Sequence, residues 1–373
     1  MIAELRRRGC AVSLFSLATG AEVGLDDLRR LEALTERVEL APMELGRARR
    51  NMRLAADLAR GRAFQTRWFA GPAPLARLRE WLAHDQFDVI VAGQLYMLPY
   101  VPSPLLSRTL LDTHNVDVHR VAGMAKALWP RPRGIAARMQ VGPVRRFEAT
   151  SVSSVAGVLA VSAEEAAYFD HIAPDRVTIV PNGVDCAALR AREQPPAEPE
   201  VLFVGTMTYS ANVDAAIGLL RDVAPRMRRR DARITLVGGG APDSLHVAAA
   251  AAGLQVEIAG RVPDTAPWFE RSRLLAVPLR FGGGTRLKIL EALARGVPVV
   301  TTTVGAEGLG LVHERDAIVV DDPAAFAGWV DRLLADGELS AKLARNGRRA
   351  AERYDWPRVG EALAGAVGRA AAG

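Results

Sequence analysis

Residues 274–309 read LLAVPLRFGGGTRLKILEALARGVPVVTTTVGAEGL, and the order of elements in this stretch decides the fold. The apolar run LLAVPL, containing Pro278, has the pattern of a short buried strand. Gly282, Gly283 and Gly284 follow as a turn without side chains. A helix is predicted from near Thr285, with Leu287, Leu290 and Leu293 on its apolar face and Gly296 as its stop. VPVVTT is a second buried strand. A glycine turn feeding a helix leaves N–H groups unpaired at the positive end of the helix dipole, a seat for an anion such as phosphate. Arg286 and Lys288 fall in the first turn, where each cation opposes the dipole by ~0.3–1 kcal/mol. An anion between them removes that conflict.

Strands and helices alternate on both sides of this motif. Upstream, CAVSLFSLA (10–18), VELAPM, FDVIVAGQ (87–94), RTLLDTHNV, VAGVLAVS (155–162) and RVTIVPNGV (176–184) read as strands. Helices are predicted over 26–38, 74–86, a long region reaching about Thr150, and 163–171. ALRAREQPPAEPE (188–200), with three prolines, reads as a linker. The alternation restarts with VLFVGTM, a helix from Asn212 to Arg230, ITLVGGG, a helix to about Gly253, QVEIAG and a short helix near Trp268. This pattern predicts two open, mostly parallel α/β sheets that bind ligands at their C-terminal strand edges, across a cleft. The predicted divisions are residues 1–190, 191–355 and an amphipathic tail, 356–373, that crosses back to the first domain. The chain opens inside a helix, IAELRRRG, so Met1 reads as an internal start with roughly 25–30 residues upstream, one strand plus a turn and half a helix.

The 373 residues suffice for two domains, and a 49% hydrophobic fraction supplies their cores. The apolar runs fall short of the ~20 residues of a membrane span, and MIAELRRRGC lacks a secretory h-region. Two cysteines, Cys10 and Cys186, without metal-ligand spacing fit a reducing cytoplasm. The formal charge is +6, almost all from arginine; Lys126, Lys288 and Lys342 are the only lysines. Residues 43–69 set seven arginines against Glu44 and Asp57, which reads either as a solvated helix face or as a surface lying on anionic lipid. No RNA-type motif accompanies them, so nucleic acid is not an expected partner. VGGG at 237–240 lacks the full G-x-G-x-x-G and its acidic residue, and is set aside as a dinucleotide loop.

The motif GGGTRLKILEALARGVPVV followed by GAEG resembles the donor-binding motif of glycosyltransferase family 4. DTHNV (112–116), VSAEEAAYF (161–169), VPNGVD (180–185), VLFVGTMTYSANVDAA (201–216) and GRVPD (260–264) resemble further family segments in the right order, so the likeness spans roughly residues 80–360. The resemblance implies a GT-B enzyme: two Rossmann-like doubly wound domains, the nucleotide-diphosphate sugar on the C-terminal one and the acceptor on the N-terminal one. It implies transfer with retention. The expected acceptor is a surface polysaccharide or lipid-linked glycan, at a peripheral membrane location. No D-x-D pair is present, and a reaction without metal or other cofactor is expected.

By the same resemblance Glu291 holds the ribose diol, and Arg261 and Val262 hold the base. Gly205 and Thr206 read as a close approach of backbone to phosphate or as a tight turn, and the two are compatible. Glu307 touches the sugar or only caps the next element. His114, after a strand end, hydrogen-bonds a sugar hydroxyl or shuttles a proton; a merely buried, satisfied histidine is the alternative. Two departures stand out. The first of the family's two glutamates would fall at Gly283, which leaves the backbone of Gly283, Gly284 and Thr285 as the sugar contacts. GTMTYSANVD lacks the Arg and Lys that many members place there, so Arg286 and Lys288 are expected to supply that charge from across the site. Glu148 resembles a family position without an assigned chemical role. A GT-B epimerase and a catalytically dead remnant are the alternative functions.

Overall fold

The computed structural model describes residues 1–18, 24–42, 47–64, 72–127, 129–282 and 286–372. The chain divides into two compact units, Met1–Pro181 with Val359–Gly373, and Asn182–Arg358.

The first unit holds two parallel sheets. In one, β1 (Ser13–Ala18) pairs with β2 (Arg37–Pro42). The other runs β3 (Ile90–Gly93), β4 (Thr109–Asp112), β5 (Gly157–Ala160) and β6 (Val177–Ile179). Its middle strands β4 and β5 are buried throughout, as expected of parallel strands covered on both faces. The helices are α1 (Ile2–Arg7), α2 (Leu25–Leu34), α3 (Arg47–Ala59), α4 (Pro72–His84), α5 (Asp117–Ala127), α6 (Pro132–Ser154) and α7 (Ala163–Asp170). The helical region after β4 is thus a hairpin of two helices. Pro130 and Pro132 interrupt it, and Pro132 restarts it at a first helical position, where its missing N–H costs nothing.

The second unit carries one six-stranded parallel sheet. Its strands are β7 (Glu200–Val204), β8 (Arg233–Val237), β9 (Gln255–Gly260), β10 (Leu274–Val277), β11 (Val299–Thr301) and β12 (Ile318–Val319). They lie in the order β9-β8-β7-β10-β11-β12. Counted from the unit's first strand this is 3-2-1-4-5-6, the order of nucleotide-binding sheets, and it reverses between β7 and β10. Around it lie α8 (Ser210–Gly218), α9 (Asp243–Ala250), α10 (Ala266–Arg271), α11 (Leu287–Ala294), α12 (Thr303–Ala306), α13 (Pro323–Ala335) and α14 (Gly337–Ala351). Phe203, Phe269, Phe326, Ile234 and Leu236 are among its fully buried side chains.

Several boundaries differ from the sequence expectation. The helix predicted to Arg230 is regular only to Gly218, then passes through a π turn and a 3₁₀ turn at Ala224–Arg226, where Pro225 forbids continuation. The motif helix begins at Leu287 with Arg286 as its cap residue, and Leu287 is 50% exposed. Three-residue steps fall back about 60° per step, which swings Leu287 away from Leu293 to the side of Glu291; the buried face is Ile289, Leu290 and Leu293. Gly296 ends this helix as read, with Gly296 N–H donating to Leu293 O and Val297 N–H to Ala292 O. Helices α13 and α14 lie where no element is predicted above; Asp322 and Asp336 cap them, accepting from the Ala325 and Leu339 N–H groups. The last helix, α15 (Trp356–Ala372), sets Gly360 against Glu4 and donates from Arg369 to Thr178 Oγ1.

The glycines after β8 have a structural purpose. Gly238 has φ +150°, and a Cβ there would overlap the Gly205 carbonyl. Gly205 N–H donates to Val237 O, and Met207 N–H to Gly239 O. The loop after β8 thereby fixes the loop after β7. Gly238→Ala is expected to destabilise the second unit by about 1–3 kcal/mol. Urea unfolding checks this, and an unchanged midpoint would contradict the close approach.

Candidate functional site

In a parallel sheet all C-terminal strand ends face one way, and in an order that reverses, the crevice opens at the switch point. Here that point lies between β7, followed by Gly205 and Thr206, and β10, the strand that precedes α11 in the chain. Lys288 and Glu291, three residues apart, share the side of α11 turned away from its buried face. The Lys288 ammonium donates to Asn212 Oδ1 at 2.7 Å and lies 4.7 Å from the Phe203 ring centroid. Asn212, on α8, in turn donates to the Thr206 carbonyl at 2.9 Å. A Cβ on Gly205 would stand 2.6 Å from Lys288 Nζ, so only glycine admits the lysine. The loop without a base of its own therefore receives one from α11. Burial, reinforced by the neighbouring Arg286, pushes the Lys288 pKa down to about 7.

Arg286 is buried, donating to Val304 O at 3.3 Å and standing 3.9 Å from the exposed Glu307 carboxylate. Burial lowers its pKa, and Glu307 and Tyr209 partly offset this. Thr302 caps α12, accepting from Gly305 N–H, and Glu307 is the residue at that helix's C-terminal end. Glu291 Oε1 accepts from Thr265 Oγ1 at 2.9 Å and pairs with Arg295 at 3.1 Å. Arg261 and Val262 follow β9; Arg261 lies against Gly239, and Val262 packs on the core. The residues Gly205, Thr206, Arg286, Lys288 and Glu307 thus ring the strand edges around the switch point. Glu291 stands beside Lys288 on the same helix. Gly283, Gly284 and Thr285 lie outside the described residues. Sequence reasoning missed Asn212 and Thr265. A polar residue on the buried side of α8 is the only trace Asn212 leaves.

His114 belongs to the first unit. It follows β4, with Nε2 3.6 Å from the buried Asp112 carboxylate, whose pKa burial raises and His114 partly restores. It borders a cavity of about 430 Å³ together with Gln94, Tyr96, Asn115, Arg120 and Glu148. Its side chain is 37% exposed, so it is not a sequestered core histidine. Glu148, without a role in the sequence reading, is buried and accepts from Asp117 N–H and Tyr168 Oη, both at 2.8 Å. It thereby holds the start of α5, just after His114. Burial raises its pKa to about 7 against those two hydrogen bonds. Among the described residues no group of three His, Cys, Asp or Glu is placed to hold a metal.

Residues 1–188 match the model of Glycosyltransferase Family 4, and residues 198–336 that of Glycosyl transferases group 1. A D-inositol 3-phosphate glycosyltransferase of Pseudarthrobacter chlorophenolicus is 31% identical over 310 residues, 75% of this chain and 69% of the relative. A phosphatidyl-myo-inositol mannosyltransferase of Mycobacterium tuberculosis is 27% identical over 304 residues, 77% of this chain and 75% of the relative. The chain spans about half the length of other curated relatives it matches, 50% for the D-inositol 3-phosphate glycosyltransferase of Xylanimonas cellulosilytica, to which it is 28% identical over 218 residues. Anabaena HepE in complex with UDP and glucose has a similar structure, with TM-score 0.68, 18% identity, and 98% of this chain and 93% of that one covered. Sucrose-phosphate synthase of Thermosynechococcus elongatus gives 0.70, 17%, 97% and 90%. The fold is that of the GT-B proteins, two Rossmann-like units with parallel sheets. The chain belongs to glycosyltransferase family 4.

Lys288→Ala is expected to weaken pyrophosphate or nucleoside diphosphate binding by ~1.5–3 kcal/mol, measured by calorimetry. A bound dianion raises the ammonium's pKa from about 7, so binding takes up a proton above that pH. Affinity should therefore fall as pH rises above about 7, and this dependence should be absent from the variant. A flat wild-type profile would contradict the assignment.

Proposed function

We propose that the protein transfers a sugar, with retention, from a nucleotide-diphosphate sugar to a glycan or lipid-linked acceptor in surface polysaccharide synthesis. The observation that carries this reading is the lysine delivered to the switch point: Lys288 Nζ rests on Asn212, against Gly205, with Arg286 beside it. The diphosphate of the donor sits there, against the ammonium and the guanidinium. As the glycosyl bond breaks, charge grows on the leaving diphosphate. Preorganised cations stabilise that charge without the reorganisation water would require. In this reading Lys288 and Arg286 take the neutralising part that a metal has in other transferases, and no cofactor is needed. Glu291 receives the ribose diol on the carboxylate oxygen not shared with Thr265, and Arg261 and Val262 border the base.

The acceptor is assigned to the first unit's cavity. Gln94, Tyr96, His114, Asn115 and Arg120 offer hydrogen bonds to sugar or acceptor hydroxyl groups there. Relatives named for inositol phosphate and phosphatidylinositol acceptors support a polyol-bearing or lipid-borne acceptor. We place the enzyme in the cytoplasm, at the inner face of the plasma membrane. No described helix is long and apolar enough to cross a membrane.

The test is a screen of nucleotide-diphosphate sugars against polyol and lipid-linked acceptors, with product linkage read by NMR. A new glycoside with the donor's anomeric configuration is expected, and Glu291→Ala should raise the donor KM. Conversion of the donor to an epimer, or stabilisation by nucleotide with no glycoside formed, would contradict transfer.

A further inference from the structure

Residues 118–147 contain no acidic side chain. They carry Arg120, Lys126, Arg131, Arg133, Arg138 and the pair Arg145–Arg146, and all seven bases are exposed. The segment's formal charge of +7 exceeds the net +6 of the whole chain. The segment is the hairpin of α5 and α6, whose turn lies around Trp129.

Large apolar side chains stand among these bases. Trp129 is 57% exposed, Ile135 44% and Met139 59%. Ile135, Arg138 and Met139 follow at helical spacing on one face of α6. The Arg138 guanidinium lies 5.8 Å from the Trp129 ring centroid, which joins the turn to that face. The segment after α3 is fastened alongside: Phe64 N–H donates to Gln140 Oε1, Gln140 Nε2 to Arg62 O, and Arg146 to Gly61 O. Met52 on α3 is 64% exposed. Those hydrogen bonds fasten residues 61–64 of the arginine-rich stretch to α6; its parts 43–46 and 65–69 lie outside the described residues.

We infer that the turn between α5 and α6, with Trp129, Ile135, Met139 and their surrounding bases, docks the first unit on an anionic bilayer. Aliphatic side chains and a tryptophan set among exposed arginines match the boundary between headgroups and acyl chains. A nucleic acid would satisfy the bases and leave Ile135 and Met139 in water. Anionic headgroups satisfy the bases while the acyl boundary covers the apolar groups. Met124, 37% exposed on α5, also borders the cavity that holds His114 and Arg120, so the cavity adjoins the docking hairpin. An acceptor carried on a lipid would be offered beside it. The docking stands independently of glycosyl transfer, because lipid binding is read without turnover.

The experiment is co-sedimentation of the full chain with vesicles of phosphatidylcholine mixed with phosphatidylglycerol, against pure phosphatidylcholine. Wild type is expected to pellet with the mixed vesicles and to be released by salt. Arg131→Glu with Arg133→Glu should lower that binding on the order of tenfold or more. Trp129→Ala with Met139→Ala should remove the fraction that persists at high salt. Circular dichroism and thermal midpoints verify that both double variants fold, as exposed positions allow. Absence of wild-type binding to the mixed vesicles would overturn the inference, as would equal binding by folded wild type and Arg131→Glu/Arg133→Glu.

Discussion

The second unit is organised around one uncomfortable charge. Lys288 holds its ammonium over an aromatic ring and against a glycine, hydrogen-bonded to a neutral amide and close to a second cation. No carboxylate figures among the influences on its pKa, which burial and Arg286 both depress. Burying a cation so is unfavourable unless an anion completes the arrangement. The parallel sheet makes the placement possible. Its strand order reverses between β7 and β10, which opens a crevice where α11 can reach the β7 loop. Glycines at 205 and 238 clear the space, and Asn212 fixes the lysine's direction.

The same logic relates the two departures from the family pattern. With no base in GTMTYSANVD and no carboxylate at Gly283, the positive charge at the site comes from the start of α11. Arg286, at that helix's cap position, and Lys288, two residues on in its first turn, place two cations where the dipole is positive. Each is unfavourable alone. In the proposed reaction the leaving diphosphate offsets both charges.

Much of this was legible in the chain. The strand, helix and strand within 274–301 were readable because apolar runs and glycine stops are local signals, and Gly296 ends its helix through the hydrogen bonds its position suggests. Lys288 stood out because lysines are so few. What stayed hidden was tertiary. Asn212 reads as an ordinary helix residue until β7 and β10 are adjacent. Leu287 looks like core by three-residue spacing, yet it falls outside the buried arc. Glu148 gains a role only when α6 folds back beside α5 and its carboxylate meets Asp117 N–H and Tyr168. The α13–α14 pair carries clear aspartate caps but was overshadowed by the motif before it. The surface on α5 and α6 combines a charge pattern visible in sequence with exposures visible only in the fold.

The most direct measurement uses the scarcity of lysine. With only Lys126, Lys288 and Lys342 in the chain, side-chain NMR of labelled lysine resolves each titration. In free protein one of the three should titrate near 7, vanish in Lys288→Arg, and move upward by more than a unit when a nucleoside diphosphate saturates the site. A Lys288 ammonium titrating at its ordinary value, or one unmoved by saturating nucleotide, would contradict a diphosphate seat at the switch point.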